Sequence, residues 1–401
     1  MSVNMKKTCE ILVSGGGIAG LTAAAAFGTA GFDVLCVDPA QPITTRSAPG
    51  ADLRTTAILQ PGRQTLETAG IWQRLAPHAA PLETMRIIDA GGPEPAIRVI
   101  KDFRAAEVSD LPFGWNLPNW VLRREILARL EDLPNVTFRA GLATTGYLGR
   151  GAAARVRLSD GSTCAAKLII AADGRDSPMR QAAGIDVRRS TYGQKAIAFA
   201  VTHAQLHYNI SSEIHRTGGP FTLVPLPDQD GSHASAVVWM DSGPAQAKRM
   251  AMSEPEFETE MNIRACSVLG PLKLAAPRSS WPIISQRATR LTAQRLALIA
   301  EAAHVSPPIG AQGLNMSLED IAVLLEKTRK SNDPGDPQSL QAFEHARLPD
   351  IRMRIGGIDL LNRASQSTAP LLRNARAAAL EALYAATPVR KGLMRLGLGT
   401  R

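Results

Sequence analysis

Gly15-Gly16-Gly17-Ile18-Ala19-Gly20 stands between a short apolar run, Glu10 to Val13, and an alanine-rich stretch that closes at Gly31. That order reads as strand, tight turn, helix and C-terminal cap. Phe32 to Val37 supplies a second strand, stopped by Asp38 and Pro39, so the opening is expected to form a βαβ unit with parallel strands. In such a GxGxxG turn one glycine allows the tight bend, one lets the backbone approach a pyrophosphate, and the last permits close helix–strand packing. The phosphate sits on the free N–H groups where Ile18 and Ala19 open the helix. Asp38 follows at the distance of an acid that binds a ribose hydroxyl, about 20 residues on. The pattern predicts a bound dinucleotide and does not separate FAD from NAD.

Two later segments have the same logic. Ala165 to Ala172 is a short apolar strand that runs into Asp173-Gly174-Arg175-Asp176-Ser177-Pro178, which puts an acid and a glycine where α/β sheets bind ligands. An ordinary strand-end turn is the competing reading. Leu296 to Ala300 is another short strand; Glu301, a Pro-Pro loop and a helix opened by Gly310 to Asn315 follow. N–H groups at that helix start are placed to hold an electron-rich ring edge. His304 has no second ligand-type residue at metal spacing and reads as a local hydrogen-bonding residue. His203, His207 and His215 read as structural or solvent-facing rather than as substrate contacts.

At 401 residues the chain should form two or three packed units, at roughly 100–200 residues per domain. Hydrophobic residues at 45% and charged residues at 20% exclude a disordered chain. A net charge of +9 suits an anionic partner, yet the basic residues form no dense run with interleaved aromatics, which argues against nucleic acid. Their enrichment is C-terminal, in Arg373, Arg376, Arg390, Lys391, Arg395 and Arg401. Cys9, Cys36, Cys164 and Cys266 are widely separated and read as reduced thiols, with no metal site. The N-terminus passes from two lysines directly into a strand, and no stretch reaches the ~20 apolar residues of a membrane span. The expected location is cytoplasmic, at most peripheral to the inner membrane. Between about 190 and 285 apolar and polar residues alternate between turn signals, as in an antiparallel sheet. Beyond Asp320 the spacing is helical, broken by SNDPGDPQS.

Taken in order, these segments resemble the group A FAD-dependent aromatic monooxygenases, whose fold is that of p-hydroxybenzoate hydroxylase. Within them the chain is most similar to the UbiH/UbiF ubiquinone-biosynthesis hydroxylases and their UbiL-like branch. The likeness extends through DLRTTAIL (Asp52 to Leu59), NWVLRREIL (Asn119 to Leu127), GQKAIAFAVTH (Gly193 to His203), GGPFTLVPLP (Gly218 to Pro227) and FEHARLPD (Phe343 to Asp350). It implies a mixed α/β chain: a discontinuous Rossmann-type FAD-binding domain over 1–75, 101–185 and 286–345, an antiparallel-sheet substrate domain over 76–100 and 186–285, and a helical region over 346–401. It also implies that Gly15, Gly17, Gly20 and Asp38 hold the ADP half of FAD, that Arg54 and Arg124 reach the flavin side chain or phosphates, with Arg123 an adjacent competitor, and that Asp173 and Gly174 serve FAD and reduced nicotinamide. Glu301 matches the acid at the ribityl chain, while Pro307, Gly310, Gln312, Gly313, Leu314 and Asn315 match the lining of the isoalloxazine.

The reaction so implied reduces FAD with NAD(P)H, traps O2 as a C4a-hydroperoxide and hydroxylates a polyprenylated phenol, within a ubiquinone-biosynthesis complex. No catalytic acid–base pair is identified. Ala300 and Ser317 replace glycines usual in the family, each adding side-chain atoms expected to lie near the cofactor. Leu383, Leu393, Leu396 and Leu398 with Arg390, Lys391 and Arg395 make an amphipathic stretch that either rests on anionic lipid or packs on the main domain. Competing readings are a reductase or epoxidase of the same fold, a non-catalytic flavin-binding scaffold, and an NAD-dependent dehydrogenase, the last disfavoured by the two later segments.

Overall fold

A computed structural model describes residues 7–92, 96–229, 231–366 and 369–399; Arg401 lies outside them. β1 (Thr8–Ser14), α1 (Ile18–Thr29) and β2 (Val34–Asp38) form the βαβ unit, with β1 and β2 parallel. β2 begins two residues later than the apolar pattern suggests, because Phe32 N–H still bonds Phe27 O at 3.1 Å to close the helix. β3 (Val136–Ala140) extends the sheet beyond β2, β4 (Thr163–Ala171) pairs with the other side of β1, and β5 (Leu296–Leu298) pairs with β4, all parallel. β5 stops short of the expected Ala300, whose backbone turns left-handed at φ 55°. Parallel strands are covered on both faces, and Ile11, Leu12, Val13, Ile169 and Ile170 are fully buried, each such side chain worth about 1.5–3 kcal/mol. Ala23 to Ala26 of α1 are also buried. Their small side chains let α1 pack against both α2 (Asn119–Glu131) and α3 (Gln312–Thr328).

A second sheet is built on the long strand Val187–His203, antiparallel to Ser232–Ser242 on one side and to Ser279–Ala288 on the other. It continues through Pro220–Gln229 and Ile210–His215, then Thr84–Asp89 and Val99–Arg104. Alternation divides its faces. Ile197, Phe199 and Val201 join Trp239, Phe257 and Met261 in one core, while Ala196, with Met240 and Ile283, faces the opposite way and meets Ile309 of the loop before α3. A small sheet of Thr55–Leu59, Gly114–Pro118 and Ala80–Leu82 lies beside it.

α4 (Pro337–Gln366), α5 (Pro370–Ala385) and α6 (Thr387–Leu398) complete the chain. Three limits expected from the sequence fall inside elements: 100 within Val99–Arg104, 285 within Ser279–Ala288 and 345 within α4. The last has a physical reason, since α4 serves both sheets. Its Phe343, Ile351 and Ile355 enter the core of the parallel sheet, and its Asn362 amide donates to Gln194 of the antiparallel sheet at 2.9 Å.

Candidate functional site

The glycines of the first turn divide by what a side chain would meet. A Cβ at Gly15, where φ is 107°, would lie 2.4 Å from Ala172 O, and one at Gly20 would lie 1.9 Å from Gly15 O. Those two are required by packing of β1, α1 and β4. A Cβ at Gly17 would meet no protein atom within 4 Å, so that face of the turn, at the start of α1 with no side-chain cap, is open to an anion. The Asp38 carboxylate accepts Gly16 N–H at 2.5 Å and Ala40 N–H at 2.8 Å, which fixes it beside the turn.

Asp173 is differently occupied. It accepts the Ser177 hydroxyl and, at 3.0 Å, the Met179 N–H, so it supports the first turn of the short helix Pro178–Ala182, which Ser177 itself caps by accepting Arg180 N–H at 3.0 Å. Burial pushes its carboxyl above the usual range despite those bonds. Gly174 beside it has φ 86° and open space where a Cβ would point. Arg180 carries this turn to the third segment by donating to Ala302 O and Arg175 O, both at 2.9 Å, and Arg175 meets Glu301 at 3.5 Å.

Arg54 forms two 2.8 Å bonds to Asp52 and lies 5.3 Å from the Trp281 ring centroid. Asp52 also accepts Asn119 Nδ2 at 3.0 Å and Arg123 Nη2 at 3.3 Å. Burial would raise the Asp52 carboxyl, but these bonds and charges hold it below the usual carboxylate range. The Asp52 bond chiefly, and the charge of Glu301, keep Arg54 firmly protonated. Arg124 is not part of this group. It bonds Glu125 at 2.7 Å and His78 at 3.1 Å, over the Trp120 ring. Asn119 and Arg123 are four apart in α2 and share a face, whereas Arg124 is turned away by one further residue; that spacing from Asn119 was the available signal.

In the third segment most of the expected lining residues act inside the protein. Asn315 accepts Leu59 N–H and donates to Ala57 O, both at 2.8 Å, and to Ala311 O at 2.7 Å. Gln312 bonds Gly310 O at 2.9 Å, Gly397 O at 3.2 Å and Arg354 at 2.9 Å, and Leu314 packs on the main core. Both amides hold the loop's shape rather than presenting themselves outward. Pro307 is buried, and Glu301 is half exposed. What the α3 start leaves open is backbone, with φ 62° at Gly310 and no protein atom within 4 Å of a Cβ at Gly313. Sequence reasoning missed Ser306, whose hydroxyl is buried without a partner beside Pro307; nothing in the letters marks an orphaned hydroxyl.

The two replaced glycines also separate. Ser317 is buried and its hydroxyl donates to Gly313 O at 3.1 Å, turned into the helix rather than toward a cofactor. Ala300 holds the left-handed turn itself, its N–H donating to Asp320 at 3.2 Å. His304 is the local hydrogen-bonding residue expected, 2.6 Å from Asp320, which in turn meets Arg347 at 2.8 Å. His203 bonds Ser235 and Gln205 O, His207 bonds Leu226 O and His215 meets Glu213, all within the protein. No group of metal-ligating side chains occurs among the described residues.

An open helix start with an adjacent acid, a pair of arginines and a second helix start with open backbone are suited to a diphosphate-linked dinucleotide. A family profile described as an FAD binding domain matches residues 8–353. The chain is 32% identical to the ubiquinone hydroxylase UbiL of Rhodospirillum rubrum, covering 98% of this chain and 90% of that protein. It is 27% identical to the 3-demethoxyubiquinol 3-hydroxylase of Escherichia coli, covering 97% and 98%. The p-nitrophenol 4-monooxygenase PnpA of Pseudomonas putida shares the fold, with a TM-score of 0.79 at 19% identity over 99% of this chain and 100% of that one. This chain belongs to the FAD-dependent monooxygenases of the ubiquinone-hydroxylase family.

Proposed function

We propose that this FAD-dependent monooxygenase hydroxylates the aromatic ring of a polyprenylated phenol in ubiquinone biosynthesis, with NAD(P)H and O2 as co-substrates and the membrane as the source of its lipid-tailed substrate. The observation that carries this reading is the apolar boundary between the antiparallel sheet and the loop before α3. Ile309 of that loop packs with Ala196, Met240 and Ile283, flanked by Tyr192, Val238 and Trp281, an apolar contact that closes the loop before α3 against the antiparallel sheet and keeps water from that side.

In this reading Gly17 and the start of α1, in the turn that Gly15 and Gly20 let pack closely, receive the diphosphate, Asp38 the ribose, Arg54 and Arg123 the phosphates or flavin side chain, and the start of α3 the flavin ring. Arg124 is set aside. Glu301 and Arg175 close the side of the site formed by the third segment, and Asp173 shapes the turn that carries Gly174. Bound FAD supplies the electron transfer from NAD(P)H and the oxygen activation. The protein orients the rings and excludes water from the apolar boundary, without a dedicated acid–base pair.

The test is NAD(P)H oxidation by the FAD-loaded protein with and without a phenolic substrate, with products identified under O2. The expected result is substrate-stimulated oxidation and a product heavier by one oxygen. Oxidation indifferent to the phenol and yielding only peroxide would overturn the hydroxylase reading. Saturation of a prenyl double bond, or its epoxide, would mark a reductase or epoxidase instead, and a flavin that NAD(P)H does not reduce would mark a scaffold. The quinone precursor that accumulates on deletion of the gene identifies the step.

A further inference from the structure

We propose that the corner between α4 and α5 docks on an anionic bilayer, its leucines seated at the headgroup boundary; the purpose of this contact rests on the lipid-tailed substrate above, its placement does not. Among the described residues sixteen large hydrophobic side chains are exposed, and nine of them lie between Met353 and Leu396. Scattered exposed leucines are ordinary, but these come as two adjacent pairs, one late in α4 and one at the start of α5. Leu360 and Leu361, late in α4, are 69% and 59% exposed; Leu371 and Leu372, in the first turn of α5, are 80% and 58% exposed.

α5 is turned the wrong way for a helix in water. None of its described side chains is buried, although leucine and alanine dominate it. What ties it to the body is polar or aromatic: Arg376 to the buried Asp89 at 2.8 Å, Asn374 to Arg98 at 2.8 Å, and the Tyr384 ring 5.5 Å from Phe103. Ion pairs face inward and leucines outward. An amphipathic helix normally does the reverse, so the medium outside this one is expected to be apolar.

Charge selects the occupant. From Leu360 to Leu398 the chain carries six basic residues and the single acid Glu381; Arg363, Arg376 and Arg390 are paired with Asp359, Asp89 and Glu107, and Arg373, Lys391 and Arg395 still exceed Glu381 in charge. A second copy of the chain would bring the same positive charge to a two-fold contact, whereas anionic headgroups complement it. The structure also moves the surface away from the stretch the sequence favours. Leu398 is buried, and Arg390 is paired with Glu107 at 2.7 Å, so α6 is partly packed down, while Leu371 at the start of α5, at 80%, is the most exposed large hydrophobic among the described residues. No helix among the described residues is long and apolar enough to cross a membrane, in keeping with seating on one leaflet.

The experiment is co-sedimentation of the FAD-loaded full chain with phosphatidylglycerol vesicles and, separately, phosphatidylcholine vesicles. Binding to phosphatidylglycerol is expected, weakened about tenfold by L371S/L372S and lowered by salt and by R373Q/K391Q. The melting temperature, flavin absorbance and turnover of a short, water-soluble phenol should stay unchanged in these variants. Equal binding to neutral vesicles, indifference to L371S/L372S, or a wild-type dimer that L371S/L372S converts to monomer would each overturn the proposal. Failure to hydroxylate any phenol, with leucine-dependent lipid binding intact, would instead sink the functional reading and leave the docking surface standing.

Discussion

At the scale of single residues, Ala300 carries the sharpest prediction. Its φ of 55° puts an L-residue in a region that costs about 1–2 kcal/mol, and only part of that returns when glycine's extra unfolded-state freedom is counted. A300G is therefore expected to raise stability by about 0.5–1 kcal/mol and to leave or tighten FAD affinity; thermal melts with a flavin-quenching titration decide it, and a destabilised A300G would show that the methyl packs usefully. The arginine pair gives a second prediction. R123Q should weaken FAD binding about tenfold, through loss of a charge-assisted contact, while R124Q leaves it unchanged; the opposite ranking would restore Arg124 to the site. The contrast shows what a sequence can and cannot say about residues. Gly15 and Gly20 were legible because their spacing dictates backbone contacts with Ala172 and with each other. The choice between Arg123 and Arg124 follows from the spacing of Arg123 from Asn119 only once Asn119 is known to face Asp52, which is 71 positions from Arg123 and becomes a neighbour only in the fold.

At the scale of elements, α3 is held by its side chains so that its backbone can be offered outward. Asn315 clasps Leu59 N–H and Ala57 O, joining the loop to the strand that follows Arg54. N315A would strand a buried donor and acceptor in the Thr55–Leu59 strand, at about 1–3 kcal/mol. The expected outcome is a lower melting temperature even without FAD, together with weaker flavin binding; loss of flavin affinity with an unaltered apo melt would mean the amide contacts the flavin directly. The βαβ unit and the antiparallel sheet were readable because their periods, helical and alternating, are local. Where one element serves two cores, the period gives no boundary. α4 shows this, with Phe343 in one core and Asn362 against the other sheet, so a limit at 345 had no local mark. Asp173 is a similar case: the letters place an acid at a strand end, and only the following turn decides that it accepts the Ser177 hydroxyl and the Met179 N–H.

At the scale of the whole molecule, three carboxylates, Asp89 and Asp320 buried and Asp52 partly so, join parts distant in sequence, and their titration contributes to the acid limit. Asp52 joins Arg54 to α2, Asp89 joins the antiparallel sheet to α5, and Asp320 joins the Ala300 turn, His304 and α4. Burial alone would raise each; hydrogen bonds and facing charges from Arg54 and Arg123, from Arg98 and Arg376, and from His304 and Arg347 hold all three below the usual carboxylate range. A depressed folded-state value means that the unfolded chain binds more protons in the window between the two values. The stabilisation is complete above the unfolded value of about 3.9 and is lost as pH falls through the folded one. Asp173, raised by burial, has the opposite sign: its contribution is present below the unfolded value and is lost as pH rises through the folded one. Since depressed carboxylates outnumber the raised Asp173, the melting temperature should change little between about pH 7 and pH 5 and fall steeply below about pH 4. D320N separates this from general charge repulsion. It removes the buried carboxylate that faces His304 while Arg347 keeps Asp350 at 2.7 Å and Glu319 at 3.1 Å, so it should cost about 1–3 kcal/mol at neutral pH and make the acid fall shallower, because one depressed carboxylate no longer titrates. Melts of wild type and D320N across that range, followed by circular dichroism, measure both effects, and parallel curves would remove Asp320 from the account of acid unfolding.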